Sequence, residues 1–335
     1  MPIEPPRANP LLIGQAAAEA AMLEAARSGR LHHAWLIAGP PGIGKATLAF
    51  RFARWLLAGA PAGSLALDPA HPVFRRVAAG THADLMTVER EWDDKRGRQR
   101  TEIVVDDARA IAGFLHLTPA EGGWRVVVVD GAEELNRSAA NALLKVLEEP
   151  PERALLLLVS NAPGRLLPTI RSRCRRLRLA PLAPDDMQAL LARALPELPA
   201  DDRDRLARLA EGSPGRTLAL AHQEGVALVG LVQELLRELP RLSPARAHAA
   251  ADKLGRGDDA FATFMDLLQS ALGAAVRAAA RGAADAEQAR LAGMRPLAAW
   301  GEVWQALGHL KDETERFHLD KRQAIASGLG LLGTE

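Results

Sequence analysis

Cysteine is almost absent: Cys174 is the single one in 335 residues. This excludes an internal disulfide framework and any multi-thiolate zinc site, and it fits a reducing, cytoplasmic setting. An excess of charge is lacking too, because 42 Lys and Arg against 41 Asp and Glu leave a formal net charge of +1. Bulk charge therefore announces neither a nucleic acid nor a membrane, and function has to be read from local sites. No uninterrupted apolar run approaches the ~20 residues of a membrane span. The start, MPIEPPRANP, has no cationic stretch followed by an apolar core, so neither export nor insertion is expected. What is present is ordinary globular composition, 48% hydrophobic, in a length suited to roughly two or three domains. The two halves differ: residues 1–180 hold 24 basic and 19 acidic side chains, residues 181–335 hold 18 and 22, which suggests separate jobs.

From Leu12 to about Ala180, short apolar runs alternate with helical patterns, as in an α/β domain with a mostly parallel sheet. HAWLIAG (residues 33–39), WRVVVVD (124–130) and ALLLLVSN (154–161) read as buried strands. Leu48, Phe52, Trp55 and Leu56 recur at helical spacing, with Arg51 flanking that stripe and Arg54 on the opposite face. Ala140, Leu143, Leu144 and Leu147 line a second helix, which Pro150 and Pro151 end. After residue 186 the strand runs stop and nearly everything is Ala- and Leu-rich with helical periodicity. We divide the chain into an α/β domain (1–180), a small helical domain (181–222) and a larger all-helical one (223–335). The charged stretch EREWDDKRGRQR (89–100) reads as a solvated hairpin or loop.

GPPGIGKAT, from Gly39 through Pro40, Pro41, Gly42, Ile43, Gly44, Lys45 and Ala46 to Thr47, lies between a predicted strand and a predicted helix. That context turns a G-x-x-x-x-G-K match into a phosphate loop. Glycines let the backbone curl, successive N–H groups and the helix N-terminus point at phosphate, and Lys45 offers a point charge. The residue after the lysine, which normally supplies a hydroxyl to Mg²⁺, is Ala46; Thr47 is rotated by roughly 100° along the helix and does not replace it. Asp130 ends its strand in place to hold Mg²⁺ through water. The next residue is Gly131, where ATPases of this build usually carry a water-activating Glu; Glu133 and Glu134 lie farther along. Two gaps at the two metal and water positions indicate a site that has stopped hydrolysing. Between the loop and Asp130, residues 61–83 have no cysteine, and His71 and His82 alone cannot close a structural metal site, so no zinc and no other bound metal is expected. His32 and His33 are expected to border the nucleotide pocket or the surface.

With GQ at 14–15, GPPGIGK, VVVVD, NALLKVLEEPP (141–151) and IRSRC (170–174), the chain resembles the clamp-loader subunits of the AAA+ superfamily, above all the delta-prime family of bacterial DNA polymerase III. The motif-bearing resemblance covers about residues 10–220. It implies a AAA+ phosphate-loop domain with a parallel sheet, a helical lid and an all-helical collar that oligomerises. It also implies a role in DNA replication inside a nucleotidyltransferase holoenzyme, where this chain itself has absent or weak ATPase activity. The resemblance places Arg173 as an arginine finger acting in trans on a neighbour's γ-phosphate, where such a group can be worth ~10³ to 10⁵ in rate. Asn161, after Ser160, matches the first sensor and Arg216 in GSPGR the second. The implied partners are gamma/tau-like ATPase and delta subunits in a hetero-oligomer, primed DNA within the ring, and the sliding clamp indirectly. ATP is the nucleotide the loop is shaped for, without productive Mg²⁺ geometry. Stripes containing Leu267, Leu268, Trp300, Trp304 and Leu307 are assigned to the collar, to its own core, or to both.

Two other readings use the same loop. An active AAA+ motor or DNA-remodelling ATPase needs the groups that Ala46 and Gly131 lack. A small-molecule kinase explains neither SRC nor the helical C-terminal half.

Overall fold

The computed structural model describes residues 4–93, 98–121, 123–221, 223–254 and 258–333. The chain divides into two compact units: residues 1–190 together with 212–215, and residues 191–211 together with 216–335. The segment expected as a lid, 181–222, contributes residues to both units. Its helical part joins the second unit because Leu206 and Leu220 are buried in that unit's core.

The first unit is an α/β domain. Its strands are β1 (Ala34–Ala38), β2 (Leu85–Val88), β3 (Trp92–Asp93), β4 (Arg98–Gln99), β5 (Arg125–Asp130), β6 (Ala154–Ser160) and β7 (Arg175–Arg178). Five of them form a sheet of order β2-β5-β6-β1-β7 in which every pairing is parallel. The remaining two, β3 and β4, make a short antiparallel ribbon where a hairpin or loop is expected from the sequence; residues 94–97 of that stretch lie outside the described residues. The helices of this unit are α1 (Ala16–Arg27), α2 (Lys45–Leu57), α3 (Pro72–Ala78), α4 (Val105–His116), α5 (Arg137–Glu148) and α6 (Pro168–Ser172), with α7 (Pro184–Ala194) crossing into the second unit.

The central strands are apolar at nearly every position because both faces of the sheet are covered. Trp35, Ile37, Val126, Val128, Leu155 and Leu157 point to one core, with Leu48, Phe52 and Trp55 of α2. The alternate residues Leu36, Val127, Val129, Leu156 and Leu158 join the other, with Ile111 of α4 and Leu143 of α5. The parallel register brings the C-terminal ends of β1, β5 and β6 together, pairing Ala38 with Ser160 and Asp130 with Val159. Such an edge, where strand order reverses, is the usual ligand crevice of an open α/β sheet.

One face of α2 departs from the sequence expectation. Arg54, opposite the apolar stripe, is 1% exposed: it donates to the carbonyls of Arg7 and Asn9 at 2.8 Å each and lies 4.3 Å from the Phe74 ring centre. The N-terminal segment covers that face, and burial pushes the guanidinium down to about 10.

The second unit is all-helical, with α8 (Ala200–Leu209), α9 (Pro214–Leu220, from Arg216 onward), α10 (Gln223–Glu238), α11 (Pro244–Leu254), α12 (Asp258–Ala280), α13 (Ala286–Ala292), α14 (Leu297–Phe317) and α15 (Lys321–Leu332). Leu267, Leu268, Trp300 and Leu307 are buried in its own core beside Phe261, Phe264 and Ile325. Trp304 is different: it is 43% exposed, with its indole N–H donating to the Gln269 carbonyl at 3.1 Å. Among the described residues no helix is long and apolar enough to cross a membrane.

Candidate functional site

The loop between β1 and α2 takes a conformation that only glycine tolerates at three points: Gly39, Gly42 and Gly44 have φ of 155°, 73° and 97°. At Gly39 a Cβ would sit 2.7 Å from the Leu179 carbonyl oxygen, so the position is also closed by space. Gly44 caps α2 without any side-chain hydrogen bond, which leaves the first-turn N–H groups of the helix available to an anion.

Four consecutive carbonyls of the same loop are engaged. The Pro40 oxygen accepts from Lys45 Nζ at 2.5 Å, Pro41 from Ser213 Oγ at 2.9 Å, Gly42 from the Gly215 amide at 2.9 Å, and Ile43 from Gln15 Nε2 at 3.4 Å. Gln15, itself buried, also donates to the Ala180 carbonyl at 2.9 Å. A Cβ on Gly215 would lie 3.0 Å from Gly42 Cα, so glycine there permits the close approach of the two backbones. In sequence, Gln15, Ser213 and Gly215 stand out only as parts of GQ and GSPGR, without a role of their own.

Lys45 is buried, 4% exposed. Burial pulls its ammonium down to about 8, against the opposing pull of Asp130 and Glu133. Burial and the neighbouring Glu89 push the Asp130 carboxyl above the usual range, with Lys45 working the other way. The Ala46 methyl packs against the apolar core and Thr47 is buried, so no hydroxyl stands at the position following the lysine. Gly131 has φ of 82° and ψ of 46° and starts a single 3-10 turn, Ala132–Glu134. That turn sends its two acids in different directions. Glu133 Oε1 accepts from the Asn161 amide at 2.9 Å, tying β5 to the end of β6, while Glu134 pairs with Arg90 at 2.7 Å. Ser160 Oγ and Glu133 Oε2 are buried without a hydrogen-bond partner among the described residues.

Lys45 and the first-turn N–H groups of α2 are donors of the kind that suit an anion, whereas residue 46 offers a methyl and residue 131 a hydrogen, neither of which can ligate a metal ion. Among the described residues no three His, Cys, Asp or Glu side chains are placed to share a metal ion. His71 instead caps α3, accepting from Val73 N at 3.2 Å, and His82 is buried beside Asp84. His32 and His33 stack on each other just before β1, and His33 Nε2 meets the Leu147 carbonyl at 3.1 Å. They lie at the opposite end of the strand from the phosphate loop, a correction to the pocket-border alternative.

Arg173 follows α6 directly. Its guanidinium donates to the Thr169 carbonyl at 3.0 Å and pairs with Glu148, the last residue of α5, at 2.8 Å; its side chain is 36% exposed. Arg216 does not present a free guanidinium: it donates to Ser270 Oγ at 2.7 Å and to the Asp266 carbonyl at 2.8 Å, both on α12 of its own unit, and burial lowers its pKa. Within GSPGR, Ser213 and Gly215 are bonded to the phosphate loop. The site residues fall into two groups: Gly39–Thr47, Asp130, Asn161 and the 213–215 segment at the crevice, and Arg173 apart from them at the end of α6.

The family model described as "DNA polymerase III, delta subunit" matches residues 14–183, half of the chain. The DNA polymerase III subunit delta' of Pseudomonas aeruginosa is 42% identical over 219 residues, covering 63% of this chain and 64% of that protein. The corresponding subunit of Escherichia coli is 37% identical over 194 residues, covering 58% and 56%. DNA polymerase III subunit gamma/tau of Mycobacterium bovis is 30% identical over 345 aligned positions, covering 90% of this chain and 58% of that one. The chain therefore spans less than two thirds of the length of these relatives. With its phosphate loop, acidic strand and SRC segment on a parallel α/β sheet, the chain belongs to the delta-prime family of DNA polymerase III clamp-loader subunits.

Proposed function

We propose that this chain is a non-hydrolysing, or at most weakly active, clamp-loader subunit that serves as a rigid stator and supplies Arg173 in trans to a neighbouring ATPase subunit. The observation that carries the reading is the combination of Ala46 after the phosphate-loop lysine with left-handed Gly131 after β5, beside a phosphate loop whose carbonyls at 40–43 are held by the chain itself. The partners proposed are a gamma/tau-like ATPase and a delta subunit, with primed DNA inside the assembly and the sliding clamp contacted through it. Bound ATP would supply phosphate charge for Lys45 and the α2 N-terminus; the residues here orient it without activating water. Arg173, partly exposed just after a short helix, has the charge and fork geometry to neutralise a neighbour's transferring phosphoryl group.

The test is ATP hydrolysis and clamp loading in a complex reconstituted with the ATPase and delta subunits of the same organism. Arg173→Ala is expected to lower both, in part, because other motor sites keep their own fingers. Lys45→Ala is expected to leave turnover near wild type. Strong loss with Lys45→Ala would make this chain a motor and overturn the stator reading.

A further inference from the structure

We infer that Glu148 is a positioning residue for Arg173, fixing the direction in which the guanidinium leaves the surface. This rests on the reading of Arg173 as a finger. The backbone on either side of Arg173 is anchored, since Ile170 and Cys174 are both buried in the sheet's second core. The stem is therefore fixed at its root, and its far end is fixed by two bonds, Nη1 to the Thr169 carbonyl and Nη2 to Glu148 Oε1. A guanidinium has five N–H donors. Two are committed to the chain, and Nε–H and one N–H on each Nη remain for an incoming phosphate oxygen.

The carboxylate is in an odd place for stability alone. Glu148 closes α5 and Glu149 follows it, both at the negative end of the helix dipole, where an acid is disfavoured. The pair is exposed on both sides, 36% and 48%, and exposed ion pairs contribute little to folding. What such a pair does contribute is orientation of a long side chain, and displacement of a reacting group by about 1 Å can cost on the order of 10²-fold in rate.

The experiment uses the reconstituted complex with wild type, Glu148→Ala, Glu148→Gln, Arg173→Ala and the Glu148→Ala/Arg173→Ala double variant, reading kcat and KM for ATP with DNA present. Glu148→Ala is expected to reproduce at least half of the kcat loss of Arg173→Ala, with KM unchanged within about twofold. Glu148→Gln, which keeps an oxygen acceptor at the same reach, is expected to recover most of it. Adding Glu148→Ala to Arg173→Ala should cost nothing further. Wild-type turnover in Glu148→Ala, a rise in turnover, or an equal additional loss in the Arg173→Ala background would each overturn the inference while leaving the finger intact. No effect of Arg173→Ala itself would remove the finger reading, and Glu148's role with it.

Discussion

Gly131→Glu puts a carboxylate back where hydrolysing relatives of this build need one, and the structure predicts a loss of stability without a gain of activity. Residue 131 has φ of 82°, and an L residue held in the left-handed region costs about 1–2 kcal/mol. The new Cβ would lie 2.6 Å from Glu134 Oε2 and 3.0 Å from its Cδ, so Glu134 must swing away and break its 2.7 Å pair with Arg90. That pair is partly exposed, and its loss adds about 0–1 kcal/mol. The total is about 2 kcal/mol, which lowers the urea midpoint by about 1 M at an m-value near 2 kcal/mol/M. Hydrolysis stays at background because Ala46 still offers no oxygen to Mg²⁺. The assays are urea unfolding and steady-state ATP turnover of the isolated chain for Gly131→Glu, Ala46→Ser and their combination. An unchanged midpoint in Gly131→Glu would refute the strain argument. Turnover in either single variant would refute the claim that two separate groups are missing.

Three further outcomes follow from the same contacts. Lys45 has its pKa lowered from 10.5 to about 8 by burial, so the folded chain binds fewer protons than the unfolded one between those values; its contribution is fully present above 10.5 and lost as pH falls through about 8. The stability of wild type relative to Lys45→Met should accordingly rise from pH 8 to 10.5 in urea titrations, and a flat difference would contradict it. Ser213→Ala removes the donor to the Pro41 carbonyl and is expected to cost about 1 kcal/mol and to speed amide exchange at Gly215; unchanged exchange would mean the clasp is not held there. Arg216→Ala removes two bonds to α12 and is expected to destabilise the second unit by about 2 kcal/mol, seen as faster exchange along α12 with the phosphate-loop amides unaffected.

The central strands were legible because burial on both faces demands an unbroken apolar run, and VVVV and LLLL meet that demand at the register observed. The edges were less so. Leu85–Val88 carries no strand signal in sequence: LMTV is four residues long, only partly buried, and paired on one side, so nothing in its composition separates it from a loop. Arg175–Arg178, by contrast, suits a sheet-edge strand carrying solvated charge, and it pairs with β1 at the edge of the sheet. GSPGR punctuates the helical pattern in sequence, while Leu206 and Leu220 on either side of it find their apolar partners among the later helices.

At the site, residue types were legible and their connections were not. The Ser213 hydroxyl reaches a carbonyl 172 positions away in sequence, and Gln15 reaches one 28 positions away and another 165 away. No local pattern encodes such pairs. They matter because a glycine-rich loop has high conformational entropy unless something holds it. In a nucleotide-dependent ATPase phosphate can do part of that holding through the N–H groups. Here four consecutive carbonyls are held from the other side by Lys45, Ser213, Gly215 and Gln15, all from the chain itself. The positive φ at Gly39, Gly42 and Gly44 is what makes glycine fit those places in the loop. On the proposed reading, a phosphate-loop motif can persist without its hydroxyl and water-activating acid, because the glycines that shape the backbone do not depend on what residues 46 and 131 carry, here a methyl and a hydrogen.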